Sequence, residues 1–201
     1  MTILLNPPDM NVYLDKTAKE LEAFFGIKAP DFELILINSR EKFDQISGRK
    51  TEPWMAGFTR NGNIYTIHPD KLEAVTIHKK ESHLPRLKHE MSHLFYKKYT
   101  NGEDRPSWLN EGLAYYLADQ PKWNLSEQDK LSVTEYFTNF NGRVYGPGEF
   151  MVRTLIEKYG KDKLLQLIGS ISIDITEADF KKLFNNVYGF SFTKIDLKKI
   201  I

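Results

Sequence analysis

The patterning of this chain predicts an α+β fold, with a small N-terminal lobe built on a mixed sheet followed by a mostly helical C-terminal lobe. Short apolar runs flank an Asn61-Gly62 hairpin signal ahead of residue 70. From residue 84 onward, apolar residues recur at spacings of three and four. With 41% hydrophobic and 13% aromatic residues, a chain of 201 residues has ample apolar surface for a packed core. The expected organisation is a single domain, 1–201, whose α/β lobe spans 1–100 and whose helical lobe spans 101–201.

Taken in order, residues 11–25 predict a helix capped near Asp9 and stopped by Gly26. The run Phe32 to Ile37 predicts a buried strand, and Ser39 caps a short helix that ends at Gly48. Two strands, 54–59 and 63–68, are joined by Asn61-Gly62. A helix follows with Ser82 as N-cap and Pro85 in its first turn. Its apolar stripe is Leu84, Leu87, Met91 and Leu94, and it ends at Asn101-Gly102 after the basic last turn Lys97-Lys98. The next helix starts at Ser107 behind Pro106. Leu109, Leu113, Tyr116 and Leu117 form its buried face, while Glu111, Ala114, Tyr115 and Ala118 share another. Further helices are expected over 126–137, 147–159 and 161–168, and a last one is capped by Thr176 and ended by Gly189.

The chemistry concentrates in His89-Glu90-Met91-Ser92-His93 and, eighteen positions beyond His93, in Glu111 of Trp108-Leu109-Asn110-Glu111-Gly112. Residues four apart on a helix lie about 40° apart around the axis and roughly 6 Å along it, so His89 and His93 can converge on one ion. Glu90 is turned about 100° from His89, which sets its carboxylate beside the metal. Two histidines and one carboxylate form a catalytic zinc set that leaves a position for water. Zn2+ is therefore the expected cofactor, with His89, His93 and Glu111 as ligands and Glu90 as the acid/base. The competing interpretation is an ordinary amphipathic helix with exposed or hydrogen-bonded histidines, since a bare H-E-x-x-H arises by chance. The Asn110-Glu111-Gly112 element at this distance argues against it. The small residues Gly112 and Ala114 beside the carboxylate would let this helix approach the histidine helix closely, as a shared metal demands. His68, His78 and His83 lie off any ligand spacing and are expected to be structural or exposed.

The segments H-E-M-S-H and W-L-N-E-G-L-A-Y-Y, then Val144-Tyr145-Gly146-Pro147-Gly148 leading into residues 152–160, resemble the gluzincin clan of metallopeptidases. More narrowly, they resemble the peptidase MA-like proteins related to the catalytic domain of zinc aminopeptidases. The resemblance covers roughly residues 50–200. It implies a thermolysin-like catalytic fold, zinc ligation by His89, His93 and Glu111, and Glu90 as general base. It also implies an electrophilic tyrosine at Tyr145, next to the glycine-rich turn that opens a helix at Pro147. Tyr65, Tyr96, Tyr115 and Tyr116 are the rivals for that role. The chain departs from the aminopeptidases in having no G-A-M-E-N-like segment, which in them reads the substrate's free amino terminus. In gluzincins an edge strand ahead of the zinc helix pairs with extended substrate, and here residues 54–59 or 63–67 are the candidates. The implied function is peptide hydrolysis on a peptide or protein substrate. The alternative is a latent or degenerate gluzincin that binds zinc or a partner without turnover.

A formal charge of +1, from 28 basic and 27 acidic residues, offers no global attraction for nucleic acid or an anionic membrane. No segment approaches the length of a membrane span. The chain has no cysteine, so disulfides are excluded and redox chemistry is silent on compartment. The first residues lack a basic stretch and their apolar run is too short for a signal peptide, so the expected location is cytoplasmic.

Overall fold

Pro8 opens the first helix, α1 (Pro8–Phe25), in the computed structural model, which describes residues 8–139 and 142–201. The cap expected near Asp9 falls on side chains outside those described. Helix α1 buries Met10, Leu14, Leu21 and Phe25 and stops at Gly26, whose left-handed φ of 70° suits only glycine well. Strand β1 (Leu34–Ile37) and helix α2 (Arg40–Ser47) follow, the helix capped by Ser39 and Gly48 as expected. Strands β2 (Gly57–Arg60) and β3 (Asn63–Ile67) are joined by Asn61 and Gly62, both at positive φ, the conformation a two-residue hairpin requires. β2 starts three residues later than expected because the Met55 N–H bonds the Glu52 carbonyl in a turn and not in a ladder.

The chain has an α+β fold with a three-stranded mixed sheet. β3 lies in the middle, parallel to β1 and antiparallel to β2. Ile37, Ala56 and Ile67 pack with Phe43 of α2 and with Leu72 of the single-turn α3 (Leu72–Val75), and Phe58 and Tyr65 flank this core. Since side chains alternate across a sheet, Gly57, Thr66 and Leu36, matched in register, share the opposite face. Helix α4 (His83–Tyr99) carries the histidine motif. It is tied to α1 by the Lys88–Glu20 ion pair (2.5 Å) and by the stacked rings of Phe25 and Phe95, 5.6 Å apart. Leu87, Met91 and Leu94 are buried as the stripe predicts, but Leu84, in the first turn, is 39% exposed. Ser82 ends a short 3-10 turn, donating its hydroxyl to the Lys79 carbonyl and accepting from Arg86 Nε.

The chain divides into two compact units at Phe95/Tyr96, within α4. The second unit is helical: α5 (Ser107–Leu117), α6 (Glu127–Leu131), α7 (Tyr145–Tyr159), α8 (Lys161–Gly169), α9 (Glu177–Tyr188) and α10 (Lys194–Leu197). Its core is aromatic, with Trp108 stacked on Phe192 at 5.2 Å and edge-on to Phe180 at 6.2 Å. The helix expected over 126–137 ends at Leu131 and continues as a 3-10 turn (Ser132–Glu135). There the Ser132 hydroxyl donates to the Asp129 carbonyl, a local bond that competes with further α-helix. Thr176 and Gly189 bound α9 as predicted.

α5 and α7 cross where two glycines face each other. A Cβ on Gly112 would lie 2.2 Å from the Gly148 carbonyl carbon, and one on Gly148 would lie 2.5 Å from the Trp108 carbonyl oxygen. No other residue fits either position without parting the helices. Among the described residues no helix is long and apolar enough to cross a membrane.

Candidate metal centre

One turn of α4 separates His89 from His93, and their rings stand nearly perpendicular, 4.7 Å between centroids, with the two Nε2 atoms 3.1 Å apart. Two nitrogens bound to one tetrahedral zinc at roughly 2.0–2.1 Å stand about 3.3 Å apart, so the imidazoles are already spaced as joint ligands. The same spacing also suits a hydrogen bond between the two rings. Glu111 on α5 completes the group: one ligand atom from each of His89, His93 and Glu111 lies within 4.8 Å of the others, and the three could hold a metal ion. His89 is buried, while His93 and Glu111 are half-buried. Three donors of this chemistry, two imidazoles and one carboxylate, fit zinc with a position left over.

Glu90 is 8% exposed and does not join the ligand group. The helix turns it away from His89, and its carboxylate lies against the backbone of β2: a Cβ placed on Gly57 would meet Glu90 Oε1 at 2.7 Å and its Cδ at 3.0 Å. The local sequence missed this neighbour. A glycine inside a strand pattern is the available signal, since it marks close approach of another group.

The loop into α5 is pinned by Glu103. Its carboxylate accepts from Arg105 Nε and from the backbone N–H groups of Asp104, Arg105 and Asp174. The Arg105 side chain is the largest influence and holds the carboxyl down at about 2, well below the usual glutamate range. Asn110 then donates Nδ2 to the Asp104 carbonyl, 3.2 Å away, fixing the turn of helix that presents Glu111.

Tyr145 is placed differently from the sequence expectation. It is the first residue of α7, two residues before the start expected at Pro147, and its half-buried ring packs on Tyr115 at 5.8 Å. Tyr115 itself lies four residues, about one helical turn, beyond Glu111 on α5. Trp123, 49% exposed, sits against the same Tyr115 ring at 6.2 Å and over Gly146. Three of the four rivals have other partners, and Tyr115 stays beside Tyr145. Tyr65 stacks on Phe58 at 5.0 Å, Tyr116 lies beneath the Arg153 guanidinium at 5.2 Å, and Tyr96 is buried with its hydroxyl donating to the Arg105 carbonyl. Burial pushes the Tyr96 phenol well above its ordinary pKa.

The remaining histidines have structural partners. His68 Nδ1 accepts from the Asp70 N–H. His78 donates Nε2 to the Trp54 carbonyl at 2.6 Å and accepts from Arg86 at Nδ1, 2.7 Å away. His83 is 2% exposed, donates Nε2 to the Ile67 carbonyl, and is pushed down to about 4 chiefly by burial.

No protein-family model matches this chain, and no curated protein matches it in sequence.

Of the two strands weighed for substrate pairing, β3 is interior, bonded on both sides, and has no edge to offer. β2 is at the edge. Ile67 donates to the Ala56 carbonyl at 2.9 Å, so the adjacent Gly57–Thr66 pair is a non-hydrogen-bonded one, and the N–H and C=O of Gly57 point to the outer side of β2.

Proposed function

We propose that this chain is a zinc-dependent metallopeptidase of gluzincin type that hydrolyses peptide bonds. The observation carrying the proposal is the convergence of His89, His93 and Glu111, separated in sequence, on one ligand-sized space. His89 and His93 would supply the two imidazole ligands and Glu111 the carboxylate. Zinc held there contributes Lewis acidity toward a carbonyl oxygen and lowers the pKa of water. Glu90 takes the proton from the attacking water and returns it to the departing amine nitrogen, one carboxylate serving as base and then as acid. Tyr145 donates its phenol to the oxyanion that develops on the scissile carbonyl. The outer edge of β2 holds the substrate main chain in extended form, hydrogen bonded at Gly57. The proposal is compatible with the α+β class of the chain.

The test joins elemental analysis to proteolysis. Reconstituted protein is expected to carry up to one zinc per chain, and His93→Ala or Glu111→Ala to lower that occupancy. The zinc-loaded protein is expected to cleave casein or members of a mixed peptide library, whereas Glu90→Gln, which cannot accept the proton, keeps its zinc and loses turnover. Zinc binding without cleavage by the parent would favour a latent zinc-binding protein. Absence of zinc after reconstitution would overturn both.

A further inference from the structure

We infer that Gly57 is a positioning residue for the Glu90 carboxylate, and that the absence of a side chain at this one point of β2 keeps the base beside the strand edge that receives substrate. The inference rests on the peptidase proposal for its chemistry, but its steric content is independent of it. Three atoms of Glu90 (Oε1, Cδ and Cγ) lie within 2.7–3.0 Å of where a Cβ on Gly57 would sit. Real Cβ contacts are not that short, so an alanine there must displace the Glu90 side chain. The position does not demand glycine for its backbone: its φ is not among the positive values, in contrast to Gly48 and Gly62 in the same unit. A glycine inside a strand sacrifices packing and costs chain entropy, and Gly57 gains no compensating turn from it. What it gains is room for a carboxylate.

The location gives that room a purpose. Glu90 sits on the face of β2 that Gly57 shares with Thr66, while the N–H and C=O of Gly57 point along the plane of the sheet to its outer side. A peptide residue hydrogen bonded to Gly57 would thus lie next to Glu90. A proton acceptor fixed by this backbone contact, in place of a flexible one in solvent, arrives at the scissile bond already oriented, and small misplacements of such groups are costly in rate.

The test is a double-mutant cycle of Gly57→Ala and Glu90→Asp on the full chain. Aspartate is shorter by one methylene and withdraws the carboxylate from the added methyl. Melting temperature, zinc content and, where turnover exists, kcat and KM are measured for the four proteins. Gly57→Ala is expected to leave zinc content unchanged, because the atoms nearest the added methyl belong to Glu90 and not to a ligand, and to lower kcat by about 100-fold, the order associated with a displacement near 1 Å. In the Glu90→Asp background the same substitution is expected to lower kcat by less than about 3-fold and to cost less in melting temperature. Equal effects of Gly57→Ala in both backgrounds, on melting temperature and on kcat alike, would overturn the inference. If no variant or parent cleaves peptide, the peptidase proposal fails, while coupling of the two substitutions in melting temperature still decides whether Gly57 sets the place of Glu90.

Discussion

Gly112→Ala tests how tightly the helix bearing Glu111 is held. The new methyl would lie 2.2 Å from the Gly148 carbonyl carbon, 2.4 Å from its oxygen and 2.8 Å from the Glu149 nitrogen, all of them backbone atoms of α7. Carbon atoms rest about 3.5 Å or more apart, so α7 would have to retreat by roughly 1.3 Å, because a backbone cannot rotate out of the way as a side chain can. Intrinsic propensity works in the opposite direction: alanine favours a helix interior over glycine by about 1 kcal/mol. Overpacking a well-filled site costs about 1–3 kcal/mol and occasionally more, and contact with three backbone atoms of α7 puts this case at the top of that range. The net expectation is a loss of about 2 kcal/mol, which for a chain of this size lowers the melting temperature by roughly 4–8 °C. Gly146→Ala in α7 is the control. The atoms nearest its Cβ would be side-chain atoms of Trp123 and Leu125, at 3.0–3.3 Å, and these can move. Thermal unfolding followed by circular dichroism at matched pH and salt measures both variants. A Gly112→Ala protein as stable as the parent, or more stable, would refute the close crossing of α5 and α7.

Acid should destabilise the protein through His83. Burial lowers its pKa from 6.5 to about 4, so below pH 6.5 the unfolded chain takes up a proton that the folded chain refuses, and stability falls as pH drops from 6.5 toward 4. The full shift corresponds to at most about 3–4 kcal/mol. His83→Gln should flatten that part of the pH profile, and urea unfolding at a series of pH values would expose a profile that stays steep. Tyr145→Phe is expected to cost on the order of 10²–10³ in kcat with zinc content, melting temperature and KM nearly unchanged. Full turnover in Tyr145→Phe, with loss on changing Tyr115, would move the electrophile to the neighbouring ring.

Local chemistry in the chain determined a good deal. Hairpin geometry follows from Asn61 and Gly62, whose conformational tolerance is a property of the residues themselves. The caps at Ser39, Thr176 and Gly189 are local hydrogen-bond or backbone choices of the same kind. Helical periodicity alone sets His89 and His93 one turn apart and turns Glu90 aside, so that much of the centre is legible without coordinates. Its third member was legible only as a spacing. Periodicity was blind wherever the outcome depends on a partner distant in sequence. The order β1-β3-β2 makes β3 interior and leaves β2 at the edge, because strand order depends on connection and packing and not on either strand's alternation. Leu84 matched the stripe yet is 39% exposed, since a helix's first turn can overhang what it packs on. Tyr145 was expected in a turn and opens α7 instead. Gly112 was legible as a point of close approach, but the atoms that meet it belong to Gly148 and Glu149 of α7, and nothing local in the chain pairs Gly57 with Glu90. A glycine's meaning lies in the atoms that occupy the missing side chain's place, and only the tertiary structure brings Glu90 and Gly148 there.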